Sequence, residues 1–170
     1  MNGTDVHTCA AFTGHRTCRR EADALLLRAV AELHAAGVRT FLSGMAGGFD
    51  LAAAEAVLAF RAAHPGVRLT AVVPFRGQER RFPPRDRARF ERILRAADEV
   101  LILAEHYHPA CYHARNDFLV AHAATLVTWY DGSAGGTRYT VERALACGRR
   151  IVHLHPQTPA AVLPLPELFP

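Results

Sequence analysis

The chain has 170 residues, half of them hydrophobic, with a formal charge of +4 and a pI of about 9.2. That length can bury a core without staples, so one domain is expected and the composition argues against disorder. All 20 cationic residues are arginine, which excludes Schiff-base lysine chemistry and a Walker-type phosphate-binding lysine, and so small a positive balance does not by itself argue for nucleic acid.

No apolar run is long enough to span a bilayer, and the start "MNGTDVH" lacks the features of a signal peptide. The cysteines Cys9, Cys18, Cys111 and Cys147 form no C-x-x-C pair. A cytoplasmic protein with reduced, packed thiols is the expectation.

In chain order, Thr8–Phe12 predicts a buried strand. Glu21–Ala36 follows as a helix, with Ala22, Leu25, Leu26, Ala29 and Leu33 at helical spacing and Gly37 closing it. Thr40–Ser43 predicts a second strand, Asp50–Ala63 a second helix stopped by Pro65-Gly66, and Leu69–Val73 a third strand ended by Pro74. An arginine-rich stretch comes next; from about Pro84 it carries Phe90, Ile93, Leu94 and Ala97 as an apolar helix face. Glu99–Leu103, Leu126–Trp129 and Ile151–Leu154 predict further strands, separated by helices at Tyr112–Ala123 and Thr137–Cys147. This alternation implies an α/β, Rossmann-like, doubly wound and mostly parallel sheet with helices on both faces. Residues 1–155 are read as that domain and 156–170, "PQTPAAVLPLPELFP", as a proline-rich tail lying extended on its surface.

The loops after the strands of such a sheet emerge at one edge, where ligands bind. They are Thr13–Arg16, Gly44–Phe49, Glu105–Ala110 and Asp131–Gly136, and three of the four bear glycine. Glycine lets backbone approach a ligand, and a helix start favours anions. Two such starts side by side, with a third in "DGSAGGT", predict a phosphorylated ligand. The G-x-G-x-x-G fingerprint is absent, so a nicotinamide-dependent dehydrogenase is a poor fit.

The motifs together resemble one group. "SGMAGGFDLAAAE" resembles a segment of the DprA/Smf Rossmann domain, "FTGHR" its first-strand turn, "RNDFLVAHA" its Arg-Asn motif and "DGSAGGTRYTVERALACGRRI" its last glycine-threonine helix start. Over about Ala10 to Val152 the chain resembles the YpsA-like branch of the SLOG superfamily, which joins DprA with the LOG phosphoribohydrolases. The resemblance implies a Rossmann-like domain binding a nucleotide or nucleotide-derived ligand, ADP-ribose-like for example. It places Gly14, His15, Arg16, Ser43, Gly44, Gly48, Asp50, Arg115, Asn116, Gly135, Gly136 and Thr137 around the pocket. In the LOG pattern a glutamate follows the threonine by three positions; here Glu142 stands two positions later.

Residue by residue, Asp50 is read either as a helix N-cap or as a contact to a ribose hydroxyl. Arg16 is read as a phosphate clamp or a surface ion pair, and Asn116 as a base reader or a loop brace. Glu142 and Glu55 are the two catalytic residues expected if the chain is an enzyme cleaving a glycosidic bond. His106, His108, Cys111 and His113 are too irregularly spaced for a known zinc site, and no metal is expected. Three functions stay open: binding of a nucleotide-derived small ligand, as a sensor; LOG-like hydrolysis of nucleoside monophosphates; and DprA-like single-stranded DNA binding through the arginine-rich stretch. Whether the chain is an enzyme is left open, and a homodimer is one expectation.

Overall fold

A computed structural model describes residues 5–157; the proline-rich tail read at 156–170 lies outside them beyond Gln157. After a 3-10 turn at Val6–Thr8 come β1 (Cys9–Gly14), α1 (Asp23–Ala35), β2 (Thr40–Ser43), α2 (Phe49–Arg61) and β3 (Arg68–Val73). A second 3-10 turn at Gln78–Arg81 precedes α3 (Pro84–Ala96), β4 (Glu99–Ile102), α4 (Cys111–Ala121), β5 (Thr125–Trp129), α5 (Gly136–Ala146) and β6 (Arg150–His153). All six strands form one sheet in the order β4-β3-β2-β1-β5-β6, and every pair is parallel. This is the Rossmann-like α/β fold expected. The helices lie where the apolar periodicity put them, with ends shifted by one or two residues.

β1 shows why the sequence reads as a continuous apolar run. Ala10 and Phe12 enter one core, and Cys9 and Ala11 the other. A central parallel strand is buried on both faces and so has no polar side to alternate with. On the first face α1, α2 and α3 lie side by side. α2 is the middle helix, and its small residues Ala52, Ala53, Ala54 and Ala56 are all buried. Alanine keeps the helix close to the sheet while favouring the helical backbone. α4 and α5 cover the second face, packing Leu119, Val120, Val141 and Ala144 onto Leu126 and Ile151. α3 opens with Pro84 and buries only Phe90 and Ile93, leaving Arg85, Arg87, Arg92 and Arg95 outward and Arg89 half-buried toward α2.

The chain runs from β1 outward through β2, β3 and β4, then crosses back to lay β5 on the other side of β1. The strand order reverses there, which opens a crevice at the carboxyl ends of β1 and β5. Among the described residues no helix is long and apolar enough to cross a membrane.

Candidate functional site

A cavity of about 290 Å³ opens at this crevice. Thr13, Gly14, His15 and Arg16 line it from the end of β1, and Ala46 and Asp50 from the start of α2. Tyr112, Arg115 and Asn116 line it from α4, and Ala134, Gly135, Gly136 and Thr137 from the start of α5. The expected residues Gly14, His15, Arg16, Asp50, Arg115, Asn116, Gly135, Gly136 and Thr137 therefore meet at one place.

Three others form a layer behind the wall. The Ser43 hydroxyl donates to the Asp50 carbonyl (2.9 Å) and accepts from the Met45 N–H (3.2 Å). The Gly44 carbonyl accepts from Arg115 Nη1. Gly48 has φ +75°, and a Cβ there would collide with the Arg16 carbonyl. Gly14 is hemmed in as well, since its Cβ would stand 2.5 Å from the Phe49 ring. Both positions need glycine for close passage of the chain.

Asp50 and Arg115 form the floor. Their side chains are 5% and 7% exposed, and Arg115 Nη1 lies 3.4 Å from Asp50 Oδ2. Asp50 Oδ2 also accepts from the Ala46 N–H at 3.3 Å. Asp50 Oδ1 is buried and has no hydrogen-bond partner among the described residues. Burial pushes the Asp50 carboxyl up to about 6, against the pull of Arg115. Burial also pulls the Arg115 guanidinium below its ordinary value, against the opposing charge of Asp50. Both charges are thus costly in this setting, as expected of groups kept for a site rather than for stability. Asp50 is not the N-cap of α2. Gly48 holds that position without a side-chain bond, and Asp50 sits inside the first turn.

The helix starts differ from expectation in one respect. α1 begins only at Asp23, so the turn after β1 brings backbone and side chains to the cavity but no helix end. α4 supplies the third helix start instead. At α2 the Phe49 N–H is already taken by the His15 carbonyl (3.3 Å). At α5 no side chain caps the helix, and the N–H of Tyr139 donates to the Gly135 carbonyl (3.1 Å). The N–H groups ahead of it, from Gly136 to Arg138, stand at the first turn with the positive end of the helix dipole. Asn116 holds this end in place, accepting from Arg115 Nε (2.7 Å) and donating to the Gly136 carbonyl (3.4 Å). Asn116 thus acts as a brace between α4 and α5.

His15 is held across the crevice by the loop after β5. Its Nε2 lies 2.8 Å from Asp131 Oδ1. Hydrogen bonds from the Ser133 backbone and side chain, with the nearby His15, hold the Asp131 carboxyl down at about 2. Arg16 places its guanidinium 5.4 Å from the centre of the Tyr112 ring.

Glu55 and Glu142 do not line the cavity. Arg89 grips the Glu55 carboxylate (Nη2 to Oε2, 2.7 Å), and Arg92 bonds it too, on the face between α2 and α3. Glu142 is exposed and paired with Arg138 one turn earlier at 2.7 Å. The catalytic role expected of them has no support in this geometry; among the described residues Asp50 is the one carboxylate in the wall. The Cys111 sulfur accepts from the His108 N–H at 3.1 Å. Among the described residues no group of three or more His, Cys, Asp or Glu is arranged to hold a metal ion.

Thr13, Ala46, Ala134 and Asp131 lie in loops that the sequence placed at this edge, although it did not single them out, and Tyr112 was missed. Tyr112 carried a signal: it stands three and four residues before Arg115 and Asn116, on one helix face.

Fold and cavity define a doubly wound, Rossmann-like domain with a polar pocket at its switch point. The YpsA family model, described as the YspA SLOG family, matches residues 12–151, and the chain belongs to this family. It is 28% identical over 130 residues to the uncharacterized SPbeta prophage-derived protein YoqJ of Bacillus subtilis, covering 68% of this chain and 76% of that one. It is 32% identical over 103 residues to UPF0398 protein BH1768 of Halalkalibacterium halodurans, covering 59% of this chain and 54% of that one. Among solved structures, DNA processing protein A from Streptococcus pneumoniae superposes with a TM-score of 0.67 at 22% identity, over 86% of this chain and 50% of that one. DNA processing protein A from Helicobacter pylori superposes with a TM-score of 0.64 at 18% identity, over 85% and 64%. The chain thus spans half to two thirds of these two structures, and the likeness concerns their fold.

Proposed function

We propose that the cavity binds a phosphorylated, nucleotide-derived small ligand such as a nucleotide or an ADP-ribose-like molecule, and that the chain acts as a binding protein or sensor. One observation carries this reading: the uncapped start of α5 at Gly136 and Asp50, whose buried Oδ1 has no hydrogen-bond partner among the described residues, both line the same 290 Å³ space. The helix start suits a phosphate. The lone oxygen suits a ribose hydroxyl, because a buried acceptor left unbonded is costly until a donor arrives. Arg16 supplies a fork for the phosphate from the rim. A nucleotide panel read by thermal shift tests this. At a hundred times Kd a ligand adds about 2.7 kcal/mol of stability, and Arg16→Ala should weaken that gain. A panel that stabilises neither protein ends the reading.

Two other readings each have an observation behind them. Hydrolysis of an N-glycosidic bond is favoured by the raised carboxyl of Asp50, which at about 6 is suited to proton transfer. Base release abolished in Asp50→Asn would support it. Single-stranded DNA binding is favoured by the fold shared with the Helicobacter protein, whose structure is described by its single-stranded DNA binding mode. The arginine-rich segment is a poor site for it, since Arg76, Arg89 and Arg92 are engaged with Glu105, Glu55 and Asp86. Binding that weakens steeply with salt is the required signature.

A further inference from the structure

Beside the cavity lies a strip of aromatic rings and guanidinium groups that the phosphate-binding reading does not use. Tyr112 belongs to the cavity wall and is the first ring of the strip. Its centroid stands 6.4 Å from that of Tyr107 and 5.9 Å from that of Phe75. Phe75 meets Tyr107 edge to face at 5.3 Å. Arg81 lies over the Tyr107 ring at 4.1 Å and also over Phe75 at 5.5 Å. Phe75 is buried, yet Tyr107 is 47% exposed.

The loop that carries this exposed ring is tied by hydrogen bonds on both sides. Ahead of it, Arg76 grips Glu105 with two bonds of 2.7 and 3.0 Å, and the Arg76 N–H donates to the Ala104 carbonyl at 3.0 Å. After it, the His108 N–H donates to the Cys111 sulfur, and the Cys111 N–H to the His108 carbonyl at 3.0 Å. The loop is anchored on both sides of Tyr107, so stacking on the ring would need little further ordering. Rings interleaved with arginine form the surface on which nucleobases stack, through their π-faces and cation–π attraction.

We infer that Tyr107 and Arg81 form a nucleobase subsite continuous with the cavity through Tyr112, so that the ligand carries a base at one end and its phosphate at the other. This rests on the phosphate-binding reading above, and it adds the part of the ligand that distinguishes a nucleotide from a sugar phosphate.

The test compares ribose 5-phosphate, the four nucleoside 5′-monophosphates, ADP-ribose and a single-stranded decamer by calorimetry. It uses the wild type, Tyr107→Leu, Tyr107→Phe and Arg81→Ala. Tyr107→Leu keeps an apolar side chain but removes the π-face, and Tyr107→Phe retains the face. The expected result is that at least one base-bearing small ligand binds the wild type about five- to a hundredfold more tightly than ribose 5-phosphate. Tyr107→Leu should erase most of that ratio while leaving ribose 5-phosphate affinity unchanged, and Tyr107→Phe should retain it. Equal affinity for base-bearing and base-free phosphates, or a ratio untouched in Tyr107→Leu, overturns the subsite and leaves the phosphate reading standing. Failure of every phosphorylated ligand overturns both. Tyr107-dependent binding of the decamer with no binding of any small ligand overturns the small-ligand assignment in favour of a strand.

Discussion

Arg115 Nη1 and Asp50 Oδ2 face each other at 3.4 Å inside the protein, from α4 and α2, which cover opposite faces of the sheet. The two side chains reach around the carboxyl end of the sheet and meet in the floor of the cavity. Removing one partner strands a buried charge, which costs about 3–5 kcal/mol. Asp50→Ala and Arg115→Ala are each expected to lose that much in urea denaturation. The double variant Asp50→Ala/Arg115→Ala should lose less than the two single losses together, by about 1–3 kcal/mol. Strict additivity would mean the two groups are not coupled.

The same pair sets a pH dependence. The Asp50 carboxyl titrates near 3.8 when unfolded and at about 6 when folded. Between those values the folded chain holds a proton that the unfolded chain releases. Its contribution to stability therefore falls as pH rises from about 4 to about 6, by up to about 1.4 kcal/mol per unit, and is level above that. Asp131 acts in the opposite sense and in a lower window. Its folded value of about 2 gives stability that is present above pH 4 and fades as pH falls toward 2. Asp50→Asn should thus remove a downward slope between pH 4 and 6. Stability curves of wild type and variant that stay parallel there would contradict the assignment.

Gly48 is expected to resist substitution. With φ at +75° and the Arg16 carbonyl where a Cβ would stand, Gly48→Ala combines backbone strain with a collision. The expected loss is about 1–3 kcal/mol. Displacement of Arg16 should lower phosphate-ligand affinity as well, which Gly66→Ala, at a position where a Cβ meets nothing within 4 Å, should not do. Calorimetric titration of both variants with the same ligand makes the comparison.

Glu55 and Glu142 should separate from the site in experiments. Glu55→Gln breaks bonds to Arg89 and Arg92 in a partly buried network and should cost about 1–2 kcal/mol. Glu142→Gln removes an exposed pair one helical turn long and should cost less than about 0.5 kcal/mol. Neither should change ligand affinity or any turnover measured. A large loss of activity in Glu142→Gln, with stability intact, would restore it as a catalytic group.

The chain's elements and its glycine-ended strands were legible in the sequence because both are local. Strand and helix periods are written in consecutive residues, and the strand–loop–helix order implies that the loops after the strands share one edge. The runs "FTGHR", "SGMAGGFD" and "DGSAGGT" were placed on that edge without coordinates. Which residues stand in the wall and which behind it was not legible. Ser43, Gly44 and Gly48 have the same local character as Gly14 and Gly136, yet they stand behind the wall: Ser43 bonds the Asp50 carbonyl, Gly44 accepts from Arg115, and Gly48 passes against the Arg16 carbonyl. Tyr107 and Arg81 could not be paired from sequence, since their contact depends on how the loops after β3 and β4 lie together.

The sequence by itself determined a parallel α/β domain with several glycine-rich turns at the carboxyl edge, because hydrophobic period and turn chemistry act over a few residues. The order β4-β3-β2-β1-β5-β6 was decided only in three dimensions. It sets β1 beside β5, so that His15 meets Asp131 and the start of α5 faces Asp50. It also left Glu55 and Glu142 to their arginines instead of the cavity. Strand order depends on contacts between residues far apart in the chain, and those contacts leave no period in the sequence to read.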